Sequence, residues 1–166
     1  EYIWLDGNCP DQQVRSKARV VNTDPDNVQL SDFPDWGFDG SSTNQAEGNF
    51  SDLSLKPVRF FIDPIRGEGS YLVLCEVYNA DDTPHRTNSR ALLRKVLENG
   101  GSELEVMGGF EQEYTFFKDG QPLGWPKSGD PAAQGPYYCS VGQKNSFGRE
   151  IVEDHARLCL DLGINI

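Results

Sequence analysis

The chain has 166 residues, 37% hydrophobic and 25% charged, so it should fold, as one ordinary domain or two small ones. Fifteen Lys and Arg stand against 26 Asp and Glu, a formal net charge of −11, which excludes non-specific nucleic-acid binding through phosphate neutralisation. No apolar run approaches the ~18 residues of a membrane span, and the four scattered cysteines and two histidines lack zinc-type spacing. Free thiols without a leader segment predict a reducing, cytoplasmic setting. The abrupt ends at Glu1 and Ile166 read as those of a piece of something longer.

In chain order, Tyr2–Leu5 and Val14–Val21, separated by the Asp6-Gly7-Asn8 turn signal, predict a β-hairpin. Arg15, Lys17 and Arg19 alternate along its second segment; a basic face of that kind is a solvated strand face or, in the minority reading, a row beside an anionic substrate. Residues 23–56 are rich in Asp, Asn, Gly, Pro and Ser without sustained periodicity, which reads as a long functional or interface loop. Val58–Ile62 and Tyr71–Tyr78 are predicted strands around a Gly67-Glu-Gly69 turn. Cys75, inside the second, reads as a buried thiol.

Thr87 or Asn88 is placed to cap a helix running to about Leu97, with Leu92, Leu93 and Val96 as its apolar face and Asn99-Gly-Gly101 as its end. Lys118-Asp-Gly120 is a hairpin turn signal. The Gly- and aromatic-rich stretch 124–142 suits either a pocket lining or a self-packed loop. Phe147–Leu162 predicts an amphipathic helix, with His155 as a packed core histidine and Glu153 paired to Arg157.

The segment Met107-Gly-Gly-Phe-Glu-Gln-Glu-Tyr-Thr-Phe-Phe117 carries most of the chemical information. Read as a strand, it places Phe110, Gln112, Tyr114 and Phe116 on one face and Glu111, Glu113 and Thr115 on the other, with the two carboxylates roughly 7 Å apart. Like charges at that spacing beside aromatics need compensation. Either the polar face is simply wet, or hard divalent cations such as Mg²⁺ or Mn²⁺ sit against it.

Several segments together resemble glutamine synthetase of the type II class: Tyr2-Ile-Trp-Leu-Asp-Gly7, Arg15-Ser-Lys-Ala-Arg19, Phe38-Asp-Gly-Ser-Ser-Thr43, Glu47-Gly-Asn-Phe-Ser-Asp52 and Leu72-Val-Leu-Cys-Glu76, followed by Glu111-Gln-Glu-Tyr-Thr115, Gly124-Trp-Pro126, Gln134-Gly-Pro-Tyr-Tyr-Cys139 and Phe147-Gly-Arg-Glu-Ile-Val-Glu153. Their order is the family's, and they cover essentially the whole chain. The resemblance implies an α+β fold: a β-grasp amino-terminal domain over residues 1–84, then the truncated start of an α/β catalytic domain over 85–166. It implies ATP-dependent ligation of ammonia to L-glutamate through γ-glutamyl phosphate, with Mg²⁺ or Mn²⁺ as cofactor, in a cytoplasmic homo-oligomeric ring whose sites lie between subunits.

Residue by residue, the resemblance assigns Glu111 and Glu113 to the metals, Glu111 also to nucleotide binding. It assigns Asp39 and Ser42 to ammonium binding and deprotonation, and Tyr138 to the glutamate site. Met107-Gly108-Gly109 stands where the family commonly has Trp-Phe-Gly, so the tryptophan the family places by the adenine ring is replaced here by Met107. The remaining metal, phosphate-binding and flap residues of the family are absent, so the piece alone is expected to be inactive. Two rivals share the pattern: a γ-glutamyl-amine ligase of the same superfamily, and a catalytically dead binding module.

Overall fold

A computed structural model describes residues 1–111 and 113–166. The chain divides into two compact units, Glu1–Val106 and Met107–Ile166.

The first unit is built on a five-stranded sheet: β1 (Tyr2–Leu5), β2 (Val14–Lys17), β3 (Trp36–Asp39), β4 (Asp52–Ile62) and β5 (Tyr71–Tyr78), in the order β2-β1-β5-β4-β3. β1 and β2 form the expected antiparallel hairpin, Tyr2 opposite Lys17 and Leu5 opposite Val14. β1 pairs parallel with β5, while β4 is antiparallel to both β5 and β3. Period-2 alternation turns Tyr2, Trp4, Leu53, Leu55, Val73, Cys75 and Val77 inward, where they meet Phe33 in one core. Cys75 is the buried thiol anticipated, its pKa pushed up to about 12, chiefly by desolvation.

The long loop expected over 23–56 is corrected here: it contains β3 and the first five residues of β4. Asp, Ser and Gly on the outward face conceal the alternation of inward Leu53 and Leu55, and Trp36–Asp39 is only four residues long. Pro57 sits inside β4, and the ladder shifts register between Pro57 and Arg59; a missing N–H is tolerated at such an irregularity.

α1 (Ser89–Glu98) begins at Asn88, whose side-chain oxygen accepts from Ala91 N at 3.0 Å and whose amide donates to Val77 O at 3.0 Å. The cap therefore also fastens the helix to β5. Beneath the helix, buried Glu76 accepts from Arg94 at 2.9 Å and from the Tyr78 hydroxyl at 3.0 Å. Leu92, Leu93 and Val96 are exposed rather than inward-facing.

His85, 6% exposed, ties the β5–α1 connection to the loop after β3. Its Nε2 lies 2.7 Å from Gln45 O and its Nδ1 2.8 Å from Thr87 Oγ1. The backbone N–H of Thr87 donates to Nδ1 at 3.3 Å, so Nδ1 is an acceptor and the ring is neutral, its proton on Nε2. Burial, against the Gln45 contact and with Arg86 nearby, holds the imidazole below its usual pKa. The unfolded chain then binds more protons than the folded one as pH falls through about 6.5, so stability is lost on acidification below that value. The urea midpoint should drop between about pH 7 and 5, and His85→Gln should flatten most of that slope. An unchanged slope in the variant would remove His85 as its source. The depressed carboxyls of Asp6, Asp63 and Glu76 act lower, through and below the ordinary carboxylate range.

The second unit holds a short hairpin, β6 (Phe117–Lys118) and β7 (Gln121–Pro122), turning at Asp119-Gly120 as expected, and α2 (Arg149–Asp161). Two expectations for α2 are corrected. His155 is exposed, edge-on to Tyr114 and 3.4 Å from the Cys159 thiol. Glu153 pairs with Arg149, and Arg157 with Asp154. The alternative partners stand one turn away on the same solvated face, where either pairing contributes little. No helix among the described residues is long and apolar enough to cross a membrane.

Candidate functional sites

The strand expected to carry Glu111 and Glu113 is corrected here: among the described residues, 110, 111 and 113–116 are not in regular strand, and regular pairing begins at Phe117, with Leu123 N donating to Phe116 O at 2.7 Å just before it. Alternation in sequence supplies a polar and an apolar face, but a strand exists only where a neighbour takes its backbone groups. Gln112, assigned to the apolar face, lies outside the described residues.

Glu113 lines a cavity of about 610 Å³ with Tyr138, Thr115, Tyr137, Cys139 and Phe147. Glu111 is exposed and outside that lining. Gly124 makes part of the cavity possible: its φ is +88°, and a Cβ there would lie 2.6 Å from Pro136 Cβ and 2.7 Å from the Phe147 ring. Tyr138, 55% exposed, has its phenol pKa raised by a hydrogen bond with Cys139, then by the charges of Cys139 and Glu113. The sequence-derived carboxylate Glu113 and tyrosine Tyr138 are thus neighbours on one wall. Cys139 and Phe147, which lie in the matching segments but were assigned no role, also line it.

Both glutamates are hard oxygen donors of the kind Mg²⁺ or Mn²⁺ prefers. Among the described residues, no group of three His, Cys, Asp or Glu side chains gathers to hold an ion. The donor chemistry fits a divalent cation, but the donor count does not: these residues supply at most part of such a site.

In the first unit, Asp39 ends β3 and caps the 3₁₀ turn Gly40–Thr43. Its Oδ1 accepts from Ser41 N at 2.9 Å and Ser41 Oγ at 2.6 Å, while Ser42 Oγ donates to the Asp39 carbonyl at 2.9 Å. The Ser41 hydroxyl and backbone N–H, with Ser51, hold the Asp39 carboxyl below its ordinary value, so it stays ionised. Gly40 beneath it is buried, and a Cβ there would lie 2.5 Å from Leu53 Cδ1. Asp39 and Ser42 line a cavity of about 400 Å³ together with Trp4, Arg15, Lys17 and Phe38. An anionic, exposed carboxylate fixed by a serine-rich turn can attract a small cation.

A family profile described as "Glutamine synthetase, beta-Grasp domain" matches residues 1–80. Over 166 aligned residues the chain is 54% identical to a glutamine synthetase of Streptomyces viridochromogenes, all of this chain against 48% of that protein. It is 52% identical to a glutamine synthetase of Frankia alni over 45% of that protein, and 46% identical to the chloroplastic glutamine synthetase of Chlamydomonas reinhardtii over 46% of it. The chain therefore spans about half the length of these curated relatives. With a β-grasp profile over its curled sheet and an unbroken match from first residue to last, the chain belongs to the glutamine synthetase family and corresponds to the amino-terminal portion of its members.

Proposed function

We propose that this chain is the amino-terminal part of an enzyme that joins ammonia to L-glutamate at the expense of ATP, giving L-glutamine through γ-glutamyl phosphate. The observation that carries this reading is the 46–54% identity to named glutamine synthetases across all 166 residues. A carboxylate is a poor acyl donor; phosphorylation turns its oxygen into a leaving group that the ammonia nitrogen displaces. In this reading residues 1–84 are the β-grasp domain and 85–166 the beginning of the catalytic domain, and the enzyme is a cytoplasmic homo-oligomeric ring with sites shared between subunits.

The roles follow from the side chains. Asp39 presents a fixed negative charge to ammonium, and Ser42 braces its turn from below. Tyr138 offers a phenol to the glutamate substrate from the wall it shares with Glu113. Glu111 and Glu113 contribute oxygen donors toward Mg²⁺ or Mn²⁺, Glu111 on the nucleotide side, in a site that requires further ligands.

The test is phosphate release by the full-length protein with ATP, L-glutamate and either ammonia or a set of primary amines. Release that requires both glutamate and ammonia, with glutamine as product, is expected. A preference for a larger amine would reassign the enzyme to the γ-glutamyl-amine ligases, and absence of turnover with any amine would leave a binding module.

A further inference from the structure

The first and last strands of the sheet order, β2 and β3, are its two edges, and an edge strand leaves a row of carbonyls without ladder partners. The sheet curls enough for those edges to meet. Tyr2 stands edge-on to Trp36 at 5.4 Å, and Trp4 packs on Phe38 at 5.0 Å. Polar contacts cross the same seam: the Tyr2 hydroxyl donates to Pro34 O, just before β3, at 2.7 Å, and Lys17 Nζ, from β2, donates to Gly37 O on β3 itself at 2.6 Å. The same ammonium lies 3.6 Å above the Trp36 ring, with the Arg19 guanidinium 5.2 Å from that ring. The basic row of β2 is therefore not a plain solvated face. Arg15 is bound to Asp6 at 2.9 Å, and Lys17 grips β3.

Gly37 precedes Asp39 by two residues on the same short strand. On its other side β3 is held by β4, with Gly37 opposite Ser54 and Asp39 opposite Asp52. Beyond Asp39, the turn is pinned by Ser41 and by the Gly40 N–H donating to Ser51 O at 2.7 Å. On the open edge of β3, Lys17 is the side chain that holds the strand's own backbone, at Gly37 O. Lys17 and Asp39 also line the same 400 Å³ cavity.

We propose that Lys17 is a positioning residue for the ammonium-binding carboxylate: by fastening Gly37 and Trp36 to β2, it fixes where β3 delivers Asp39. This rests on the ligase reading given above. Lys17 acts through the strand and touches no reacting atom. Its absence leaves that side of β3 held by the Tyr2 and Trp4 ring contacts and the Tyr2 hydroxyl on Pro34 O, none of which grips the Gly37 backbone next to Asp39, so Asp39 shifts relative to the rest of the site; a displacement of about 1 Å in a reacting group can cost roughly 100-fold.

The experiment compares wild type, Lys17→Met and Lys17→Arg in the full-length protein. Methionine keeps much of the stem that covers Trp36 and removes the donor; arginine keeps a donor and a cation. Ammonium KM is expected to rise about ten- to a hundredfold in Lys17→Met, with ATP KM unchanged, and to return most of the way in Lys17→Arg. Titration of the Asp39 carboxyl by NMR gives a readout independent of turnover. Its depressed pKa should move toward the ordinary carboxylate value in Lys17→Met, because the Ser41 and Ser51 contacts that depress it depend on the strand end staying in place. An Asp39 titration identical to wild type in Lys17→Met overturns the positioning role, as does a uniform rise in every KM, which would mark general loosening. A wild type without ammonia-dependent turnover overturns the ligase reading, while the Asp39 titration still decides whether Lys17 places the carboxylate.

Discussion

Replacing Asp39 by alanine in the full-length protein is expected to lower kcat/KM for ammonia by at least about 100-fold, the low end of what a positioned acid–base group contributes. Affinity for ATP should be unaffected. Asp39 has its pKa lowered by the Ser41 hydroxyl and N–H and by Ser51. A carboxylate held in that way attracts ammonium well and accepts a proton poorly, so most of the loss is expected in ammonium KM rather than kcat. Alanine also removes the cap of the Gly40–Thr43 turn, which alone can weaken a site. Asp39→Asn separates the two effects: its carbonyl oxygen can still accept from Ser41 N, yet the charge is gone. If ammonium KM in Asp39→Asn matched wild type, the electrostatic role would be lost, and the alanine effect would belong to the turn.

How much of this was legible in the residues differs between the two units. β1, β2 and β5 combine alternation with strong turn signals, and α1 carries its cap in Asn88; local chemistry was enough for each. β3 escaped notice because Trp36-Gly-Phe-Asp is four residues long and bounded by Asp35 and Gly40. Its existence depends on β4, which lies 13 residues further on. Lys17 showed the same limit: alternation put it in a basic row, but only the meeting of two sheet edges reveals its acceptor, Gly37 O.

The acidic pair near the middle of the chain shows the converse. Period-2 patterning around Glu111 and Glu113 was real in sequence, yet patterning cannot supply a neighbouring strand, and among the described residues regular strand begins only at Phe117. What the structure does show is that Glu113 and Tyr138 line one cavity. The resemblance gave each of them a role by motif alone, and a motif can be read without knowing which strand, if any, carries it.

The second large effect concerns Gly7, whose replacement by alanine should destabilise the first unit by up to about 3 kcal/mol, the upper range for forced overpacking. A Cβ at Gly7 would lie 2.0 Å from Asn44 O and 2.6 Å from Asn44 C, so backbone would have to move. Neither side yields readily. Fully buried Asp6 anchors the turn by accepting from Asn8 N at 3.0 Å, Gln13 N at 2.8 Å and Arg15 Nε at 2.9 Å. Across the contact, Gly7 N donates to Thr43 O at 2.8 Å, and buried Gln45 donates to Leu5 O at 3.1 Å and to Thr87 Oγ1 at 2.9 Å. Movement of Asn44 would pass directly into the turn that carries Ser42 and is capped by Asp39. Gly7→Ala should therefore lower Tm by up to about 12–24 °C, at about 4–8 °C per kcal/mol in a domain of this size, and raise ammonium KM together with it. Gly48→Ala is the control, since nothing lies within 4 Å of a Cβ there, and it should match wild type in both measurements. A Gly7→Ala protein with wild-type Tm would mean that the 40–45 loop relaxes freely, which would contradict the rigid placement on which Asp39's role depends.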